Sequence, residues 1–570
     1  MSRWLLAGLV LALGIGLALR APGLTFRPFH NDEGVNAMKF RRLYVNNNYK
    51  YDPNEFHGPT LPYLTLPIAW LRGGGPFNDF SEAAYRSVTV AFGLGLILLL
   101  LLLAPDFGRE ETLWAALFTA ISPAMVFYSR YYIHEMLLVF FTAWTFICFW
   151  RYSRSAHAFG ERTRLACGRL AASPAASSPP DRAIGGGADG DTRGACAPLN
   201  NSGVAGTRCV GWAVAGGIGL GLMWATKETF VFALAAMALA MGTNFVWSRL
   251  RGDEEPKLAL PWNWNYLISL PVAAATGALF FTSFFTNPDG LLDSVRTYAP
   301  WFQRAGGATE HVHPWNFYFE RLLFFHTAHG PIWSEAFIVA LALVGFVGAL
   351  RGRSLLLRLI AFYTFCLTLI YALLPYKTPW CLLGFYHGAI LLAGAGAALL
   401  RRACRPGWLK PLVALVFMAG VIQLGWQSWR GNFGLDAKGA PYCVSPKNPY
   451  VYSQTLPDAL RLVTTVEGIA QANPEGYGTV LEVMARESYW PLPWYFRQFT
   501  NVGYWDKIPD QPLAPIMVVA ANLKANFDEQ PGKTHLMAGY FELRPQVFLE
   551  LYVKTNLWAA YVKTLPPEKE

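Results

Sequence analysis

The chain has few charged residues for its length. Of its 570 residues, 15% are Asp, Glu, Lys or Arg and 53% are hydrophobic, and the mean hydropathy is +0.26. A soluble domain has roughly 25% charged residues, so this shortage excludes an ordinary soluble enzyme and predicts a membrane protein. The eight cysteines include no CxxC pair, which argues against a disulfide framework. The sequence also lacks an internal repeat and the inverted pair of broken helices typical of many transporters.

Runs almost free of charge recur through the first three quarters of the sequence. We count about eleven of them as spans, although several are shorter than the roughly 20 residues of a straight membrane helix. They predict a polytopic α-helical membrane domain over residues 1–430. The runs are 4–19, 88–103, 113–127, 136–150, 214–225, 230–247, 266–285, 336–350, 355–374, 382–400 and 411–426.

Basic residues predict the orientation of these spans. They cluster in alternate loops, at 109, 151–208, 249–257, 351–358 and 401–410. By the positive-inside rule these loops are cytoplasmic, as is the N-terminus. Residues 20–86 then form the first external loop, and everything after 427 lies outside the cytoplasmic membrane. The net charge of +10 is explained by this topology, so no nucleic-acid partner is predicted.

Two segments differ in composition from the spans. Residues 155–209 are rich in Ala, Gly, Ser, Pro and Arg and predict a disordered cytoplasmic insertion. Residues 431–570 alternate strand-like runs (479–484, 516–521 and 537–543) with helix-like runs (456–472 and 548–562), which predicts a small exported α/β domain. Its aromatic residues Trp490, Trp494 and Tyr495 offer flat faces to a sugar, but anchoring at the membrane interface is the simpler interpretation.

An acidic pair opens the first external loop. Asp32 and Glu33 lie in the stretch Arg27-Pro-Phe-His-Asn-Asp-Glu-Gly, just after the first span. Two adjacent carboxylates at a membrane surface suit a general base, because water solvates the ionised form while nearby lipid raises one pKa. Acidic residues also favour the positive end of a helix, so the same pair could simply cap a helix that begins near Val35.

This stretch and the later Ser129-Arg-Tyr-Tyr-Ile-His-Glu135 resemble the two acidic loop motifs of lipid-dependent glycosyltransferases with the C-type fold. That superfamily includes protein O-mannosyltransferases and the aminoarabinose transferases of lipid A. The stretches HNDEG, YDPNEFHGP, HPWNFYFERLLFF, YKTPW and WPLPWYFR are also similar to a prokaryotic family labelled flippase-activity-associated. The superfamily resemblance implies transfer of a sugar from a polyprenyl-phosphate donor to a protein, lipid or glycan acceptor. Glu135 departs from the pattern, because many relatives have Asp there.

The resemblance implies roles for individual residues. Asp32 is the expected base for the acceptor hydroxyl, Glu33 would orient acceptor or metal, and Glu135 would be a base or a metal ligand. The lipid phosphate that leaves the sugar needs cationic or hydrogen-bonding partners, although a basic side chain at a span end also snorkels without function. The candidates for substrate binding are Arg130, His134, Lys227, Tyr376, Lys377, His57 and His313. Participation of a divalent metal ion is left open, with Glu33, Glu135, His311 and His313 as candidate ligands.

Two other classes of protein compete with a transferase. A flippase for lipid-linked oligosaccharides, or its accessory protein, is the first, and a catalytically inactive scaffold is the second. A transporter that moves a polar head group should carry ionisable residues midway along its helices. In this sequence the charges gather at the ends of the spans, which favours chemistry at the membrane surface.

Overall fold

The structure is a computed structural model that describes residues 3–55, 57–171, 200–252, 267–305, 311–486, 489–512, 514–529 and 532–566. It is mostly helical up to residue 433. Helices α1 to α9 are Arg3–Arg20, Asn31–Asn46, Thr60–Leu71, Glu82–Phe107, Arg109–Ile121, Pro123–Ser129, Glu135–Ala171, Asn200–Trp224 and Phe230–Leu250. Helices α10 to α17 are Ser269–Phe281, Gly290–Arg296, Tyr298–Ala305, Phe317–Leu323, Ala336–Arg351, Leu355–Leu373, Leu383–Ala403 and Leu409–Phe433.

Among the described residues, seven helices are long and apolar enough to cross a membrane, or eight if one bent pair counts as a span. The chain is therefore a multi-pass membrane protein. The bent pair and three shorter apolar helices, Cys209–Trp224, Ser269–Phe281 and Ala336–Arg351, fall on the remaining runs of the sequence. The number of spans, about eleven by sequence, stays a prediction. Of the predicted insertion 155–209, residues 172–199 lie outside the described residues, whereas its flanks continue helices α7 and α8.

The run 113–127 is not a straight helix. It divides into α5 and α6, which meet at an angle of 58°. Pro123 follows the break and cannot donate a backbone hydrogen bond to the preceding turn. The Ser122 side chain instead accepts the hydrogen bond of the Met125 amide and caps α6. The segment 130–134 then connects α6 to α7.

A small sheet domain follows the last long helix. Its strands are β1 Leu481–Met484, β2 Val502–Trp505, β3 Ile516–Ala520, β4 His535–Arg544 and β5 Val547–Lys554, and its helices are α18 Asp458–Gln471, α19 Leu492–Tyr495 and α20 Thr555–Val562. The strand order is β2-β1-β3-β5-β4, with β1 parallel to both neighbours and β5 antiparallel to both of its own.

The helix predicted over 548–562 is wrong in its first half. Residues 547–554 form strand β5, and only Thr555–Val562 is helical. Leu549, Leu551 and Val553 are fully buried and recur every second residue, which is the period of a strand. Pairing with β4 decided the structure, because a long-range partner overrides a weak local preference.

The sheet domain packs on the loop between α1 and α4. The Phe29 amide donates to the Tyr495 hydroxyl at 2.8 Å, and Trp494 is fully buried with its ring 5.2 Å from that of Phe29. Trp494 is therefore a core residue and offers no face to a sugar. At Gly34 a β-carbon would lie 2.7 Å from Cβ of Pro491, so only glycine permits this close approach. We call the end of the helix bundle that carries this domain the domain face.

Candidate functional site

Helix α2 begins at the acidic pair through a reciprocal cap. The His30 ring Nδ1 accepts the Asp32 amide at 3.1 Å, and the Glu33 carboxylate accepts the His30 amide at 2.9 Å. This arrangement is a capping box in which histidine takes the usual place of serine or threonine. Because Nδ1 is an acceptor, the ring proton lies on Nε2, which contacts the Tyr452 carbonyl at 3.0 Å.

Glu33 is completely enclosed by donors. Arg86 binds both of its oxygens at 2.7 and 2.6 Å, and the Tyr132 amide donates to one of them at 2.9 Å. Burial alone would raise the pKa of Glu33, but Arg86 and the nearby Arg27 lower it to about 2. Glu33 is therefore ionised, and its contacts tie the first acidic motif to the second.

Two arginines complete this link between the motifs. Arg27 donates to the Arg130 carbonyl at 2.7 Å and lies 3.6 Å above the Tyr131 ring. Arg130 donates to the carbonyls of Arg20, Pro22 and Gly23 at 2.6 to 2.9 Å. The guanidinium of Arg130 thus binds the backbone at the C-terminal end of α1. Burial lowers the pKa of Arg130 to about 9.

A polar cavity of about 640 Å³ opens beside the acidic pair. Its walls come from α2, from the segment that carries Glu55 and His57, from the loop 227–229 and the start of α9, from α12, from residues 371–381 and from the sheet domain. The lining residues are Asp32, Val35, Asn36, Lys39, Asn54, Glu55, His57, Lys227, Glu228, Thr229, Phe232, Trp301, Tyr371, Leu374, Tyr376, Thr378, Trp380, Cys381 and Trp490.

Asp32 faces this cavity, and its side chain is 38% exposed. The His30 ring lies 3.9 Å from its carboxylate, and burial lowers the pKa of this ring. Within the described residues no lysine or arginine forms an ion pair with Asp32. A carboxylate that lacks a cationic partner and borders a polar cavity can accept a proton from a bound hydroxyl group.

Lys227 lines the cavity from the loop between α8 and α9, and its ammonium group is paired with the Glu135 carboxylate at the start of α7. Both side chains are buried. Burial would lower the pKa of Lys227, but Glu135 outweighs this effect and raises it. Lys227 is therefore a fixed positive charge. Glu135 does not line this cavity itself, but it contacts Lys227, which does.

A carboxylate and an imidazole form a second pair on the same wall. His57 Nδ1 lies 3.2 Å from the Glu228 carboxylate, and the His134 ring lies 5.0 Å from that of His57. Burial, His57 and Lys39 lower the pKa of His134 well below its usual value, so His134 is neutral. Lys39 pairs with Glu55 at 2.8 Å.

Lys377, His311 and His313 occupy the neighbouring loop. Lys377 Nζ donates to the carbonyls of His313, at 3.1 Å, and Leu374, and it does not line the cavity. His311 and His313 both approach the Tyr452 hydroxyl, at 2.6 and 3.4 Å. Tyr376 reaches the cavity from this loop, and burial raises the pKa of its hydroxyl to about 12.

The candidate metal ligands do not converge. Glu33 is bound by Arg86, Glu135 by Lys227, and the two histidines meet at Tyr452. Among the described residues no three His, Cys, Asp or Glu side chains form a group that could hold a metal ion. These residues therefore do not fit a resident metal with three protein ligands.

The structure brings Asp32, His57, Lys227 and Tyr376 to one cavity, with Glu135 and His134 directly behind them. It places Glu33, Arg130, Lys377 and His313 away from the cavity, bound to protein groups. Sequence reasoning missed Asn36 and Lys39, which follow Asp32 by four and seven residues and hence share its helix face. It also missed Trp301, Trp380 and Cys381, for which no local pattern gives a signal. These five residues line the cavity.

Residues 10–173 match the family model of dolichyl-phosphate-mannose-protein mannosyltransferases. This match covers less than half of the chain and includes both acidic motifs. No curated protein matches the chain.

The fold is similar to that of solved membrane glycosyltransferases. ArnT from Cupriavidus metallidurans, bound to undecaprenyl phosphate, is 12% identical over 99% of both chains with a TM-score of 0.57. The Archaeoglobus fulgidus oligosaccharyltransferase, tethered with an acceptor peptide, is 14% identical over 89% of this chain with a TM-score of 0.55, and the match spans 64% of its own length. A complex of the latter with Zn and sulfate is 12% identical over 97% of this chain and 76% of its own, with a TM-score of 0.50. The predicted fold is confirmed, because the chain has the C-type glycosyltransferase fold.

Proposed function

We propose that the protein transfers a sugar from a polyprenyl-phosphate donor to an acceptor hydroxyl at the domain face, which is the extracytoplasmic face of the membrane. The observation that carries this proposal is the position of Asp32. It is a carboxylate without a cationic partner among the described residues, and it borders a 640 Å³ polar cavity that also contains a buried lysine. The fold and the family match over residues 10–173 support the same reaction class.

Asp32 acts as the base. It takes the proton of the acceptor hydroxyl as that oxygen attacks the anomeric carbon of the donor sugar, and the polyprenyl phosphate leaves from the opposite side. Direct displacement of this kind inverts the anomeric configuration. Glu33 keeps Asp32 in position, because its contacts to Arg86 and to the His30 amide fix the first turn of α2. Glu33 itself has no free oxygen for an acceptor or a metal.

The donor phosphate lies near Lys227. A fixed ammonium group at the cavity wall can stabilise the charge that develops on the leaving phosphate. Smaller cavities continue from this point into the helix bundle. The first, lined by Lys227 and Glu135, shares Val139 and Thr142 with the next one. That cavity in turn shares Phe146 and Met237 with an apolar space of about 240 Å³. These apolar walls suit the prenyl chain of a lipid donor.

The acceptor enters from the domain face. Trp490 of the sheet domain and Trp301 and Trp380 of the helical part line the cavity together with Asp32. Aromatic faces of this kind bind apolar faces of sugars and peptides while the polar wall holds hydroxyl groups. The alternative of a flippase is less well supported, because the carboxylates, lysines and histidine of the cavity lie on loops and in α2 rather than midway along the spans.

Sugar transfer is tested with the purified full-length protein in liposomes. It is supplied with a mixture of radiolabelled polyprenyl-phosphate hexoses and pentoses and with a membrane extract as the source of acceptors. We expect labelled product with the wild type and with Asp79→Asn, an exposed carboxylate on the same loop that does not line the cavity. Asp32→Asn should reduce transfer by at least roughly 10²-fold at unchanged expression. Full activity of Asp32→Asn would refute its role as the base, and absence of transfer by the wild type from every donor would refute the transferase.

A further inference from the structure

The carboxylate–imidazole pair on the cavity wall has no role in the mechanism described so far. His57 Nδ1 lies 3.2 Å from the Glu228 carboxylate, with side-chain exposures of 29% and 4%. Burial would raise the pKa of Glu228, but His57 and Lys227 lower it. Glu228 is therefore ionised, and because an ionised carboxylate only accepts hydrogen bonds, Nδ1 of His57 is the donor in this contact.

The backbone around this pair is held firmly. The Gly58 amide donates to the Thr226 carbonyl at 3.0 Å, and the Thr60 amide donates to the Ala225 carbonyl at 3.1 Å. A β-carbon at Gly58 would lie 2.1 Å from the Ala225 oxygen, so the two loops touch at a position that requires glycine. The Tyr298 hydroxyl donates to the Glu228 carbonyl at 3.0 Å. With Nδ1 fixed on Glu228, Nε2 is the ring nitrogen available to a molecule in the cavity.

The cations of this wall differ in what they can do with a proton. Lys227 is paired with Glu135, which raises its pKa, and Lys39 is paired with Glu55. Each ammonium group thus has a carboxylate partner, and Lys227 is suited to hold charge and not to release a proton near neutral pH. Imidazole is the side chain whose ordinary titration range suits proton exchange at that pH. The neighbouring His134 is neutral and buried, which leaves His57 for this task.

We propose that His57, held by Glu228, donates a proton to the phosphate oxygen that leaves the sugar. The proposal rests on the proposed transferase reaction and adds a proton donor to it. The bond between the anomeric carbon and the phosphate oxygen breaks, its electron pair stays on that oxygen, and the oxygen takes the proton from His57 Nε2. The acceptor oxygen forms the new bond to the anomeric carbon and gives its proton to Asp32. His57 regains a proton, and Asp32 loses one, by exchange with water in the cavity.

The charged groups around His57 determine how the replacement of Glu228 changes the pH dependence of kcat. Glu228 is the negative group in contact with His57, and the positive groups of Lys227 on the same loop and Lys39 on α2 line the same cavity. Glu55 is paired with Lys39, and Asp32 lines the same cavity. Replacing Glu228 by glutamine removes the negative charge closest to His57 and leaves the positive charges of the two lysines in place. The imidazolium form then persists only at lower pH.

The test is the pH dependence of kcat for the purified full-length protein, with a polyprenyl-phosphate sugar that the wild type accepts. In the wild type kcat should fall on the alkaline side as His57 loses its proton. His57→Gln should reduce kcat by roughly 10²- to 10⁴-fold and remove this alkaline limb. Glu228→Gln should retain more activity and move the limb to lower pH. His326→Gln, an exposed histidine that does not line the cavity, should match the wild type.

Binding of polyprenyl phosphate to the same variants separates proton donation from a structural role. His57→Gln should still bind this product while turnover is lost. If His57→Gln does not fold, Glu228→Gln decides alone, because it keeps the imidazole. The proposal would be overturned if the fall of kcat at alkaline pH persisted in His57→Gln, or if it stayed at the same pH in Glu228→Gln. Either result would leave the transferase proposal standing, provided that the wild type is active and Asp32→Asn is not.

Discussion

Asp32 and Glu33 are neighbours in the chain, but their carboxylates lie in opposite environments. Asp32 borders the polar cavity and is 38% exposed, whereas Glu33 is fully buried against Arg86. Successive residues of a helix point about 100° apart, so one side chain faces the cavity and the next faces the protein interior. The two carboxylates therefore differ in what they can contact. Asp32 borders the cavity in which we propose that substrate binds, and Glu33 holds the first turn of α2.

Glu33→Gln should destabilise the protein far more than Asp32→Asn. It leaves the Arg86 guanidinium buried without its ionic partner, and breaking a buried ion pair costs about 3–5 kcal/mol. The measurement is the thermal unfolding of both variants in detergent. Asp32→Asn, at a partly exposed position, should remain close to the wild type. Equal midpoints for Glu33→Gln and the wild type would contradict the structural role of Glu33.

Acid should weaken the same contact. The folded protein holds the pKa of Glu33 at about 2, below the roughly 4.3 of an unfolded chain. A group with a depressed pKa stabilises the fold above its unfolded pKa and loses that contribution as the pH falls towards the folded value. The unfolding midpoint of the wild type should therefore fall between about pH 5 and pH 2. The fall should be smaller in Glu33→Gln, and parallel curves for the two proteins would contradict this linkage.

The acidic motifs could be located from the sequence because they combine local chemistry with a family resemblance. The different environments of Asp32 and Glu33 could not be predicted, since they depend on Arg86, which lies 53 residues further along the chain than Glu33. Arg130 and Lys377 were plausible phosphate ligands by their position at span ends. Their partners turned out to be backbone carbonyls of adjacent loops, which no periodicity reveals.

Hydropathy predicts where the membrane helices of the fold lie, but not how they bend. The apolar runs correspond to helices, whereas the bend at Ser122 requires the cap that this serine provides. In the sheet domain, β1, β3 and β4 fall on the predicted strand runs, but β2 was not predicted. Strand β2 has four residues, all only half-buried, and therefore lacks the alternation that would mark it.

Removing the charge of Lys227 should weaken donor binding. The single replacement leaves Glu135 buried without a partner, so the informative variant is the double replacement Lys227→Met with Glu135→Leu, which removes both charges. We expect a rise in KM for the polyprenyl-phosphate sugar and a fall in kcat, with the fold retained. Lys377→Met is the matched control, because its ammonium group contacts carbonyls outside the cavity. If Lys377→Met raised KM and the double variant did not, the assignment of the phosphate site would be wrong.

Gly34→Ala should loosen the contact between α2 and the sheet domain. The added methyl group would lie 2.7 Å from Cβ of Pro491, and overpacking of this kind costs about 1–3 kcal/mol. Transfer should fall, because Trp490, beside Pro491, lines the cavity with Asp32. Gly425→Ala serves as the control, since nothing lies within 4 Å of a β-carbon there. Unchanged stability and activity in Gly34→Ala would argue against a role of this contact.

The orientation of the site in the membrane can be tested with single cysteines on opposite sides. Lys438 lies in the segment that joins α17 to the sheet domain, and Arg405 lies in the turn between α16 and α17, and both are exposed. Helix α17 connects these two segments and is long and apolar enough to cross the membrane, so they belong on different sides. In intact cells a thiol reagent that does not cross membranes should label Lys438→Cys above the wild-type background and should label Arg405→Cys only after the membrane is permeabilised. The opposite pattern would place Asp32 and its cavity on the cytoplasmic side, where the donor sugar would have to be presented from the cytoplasm.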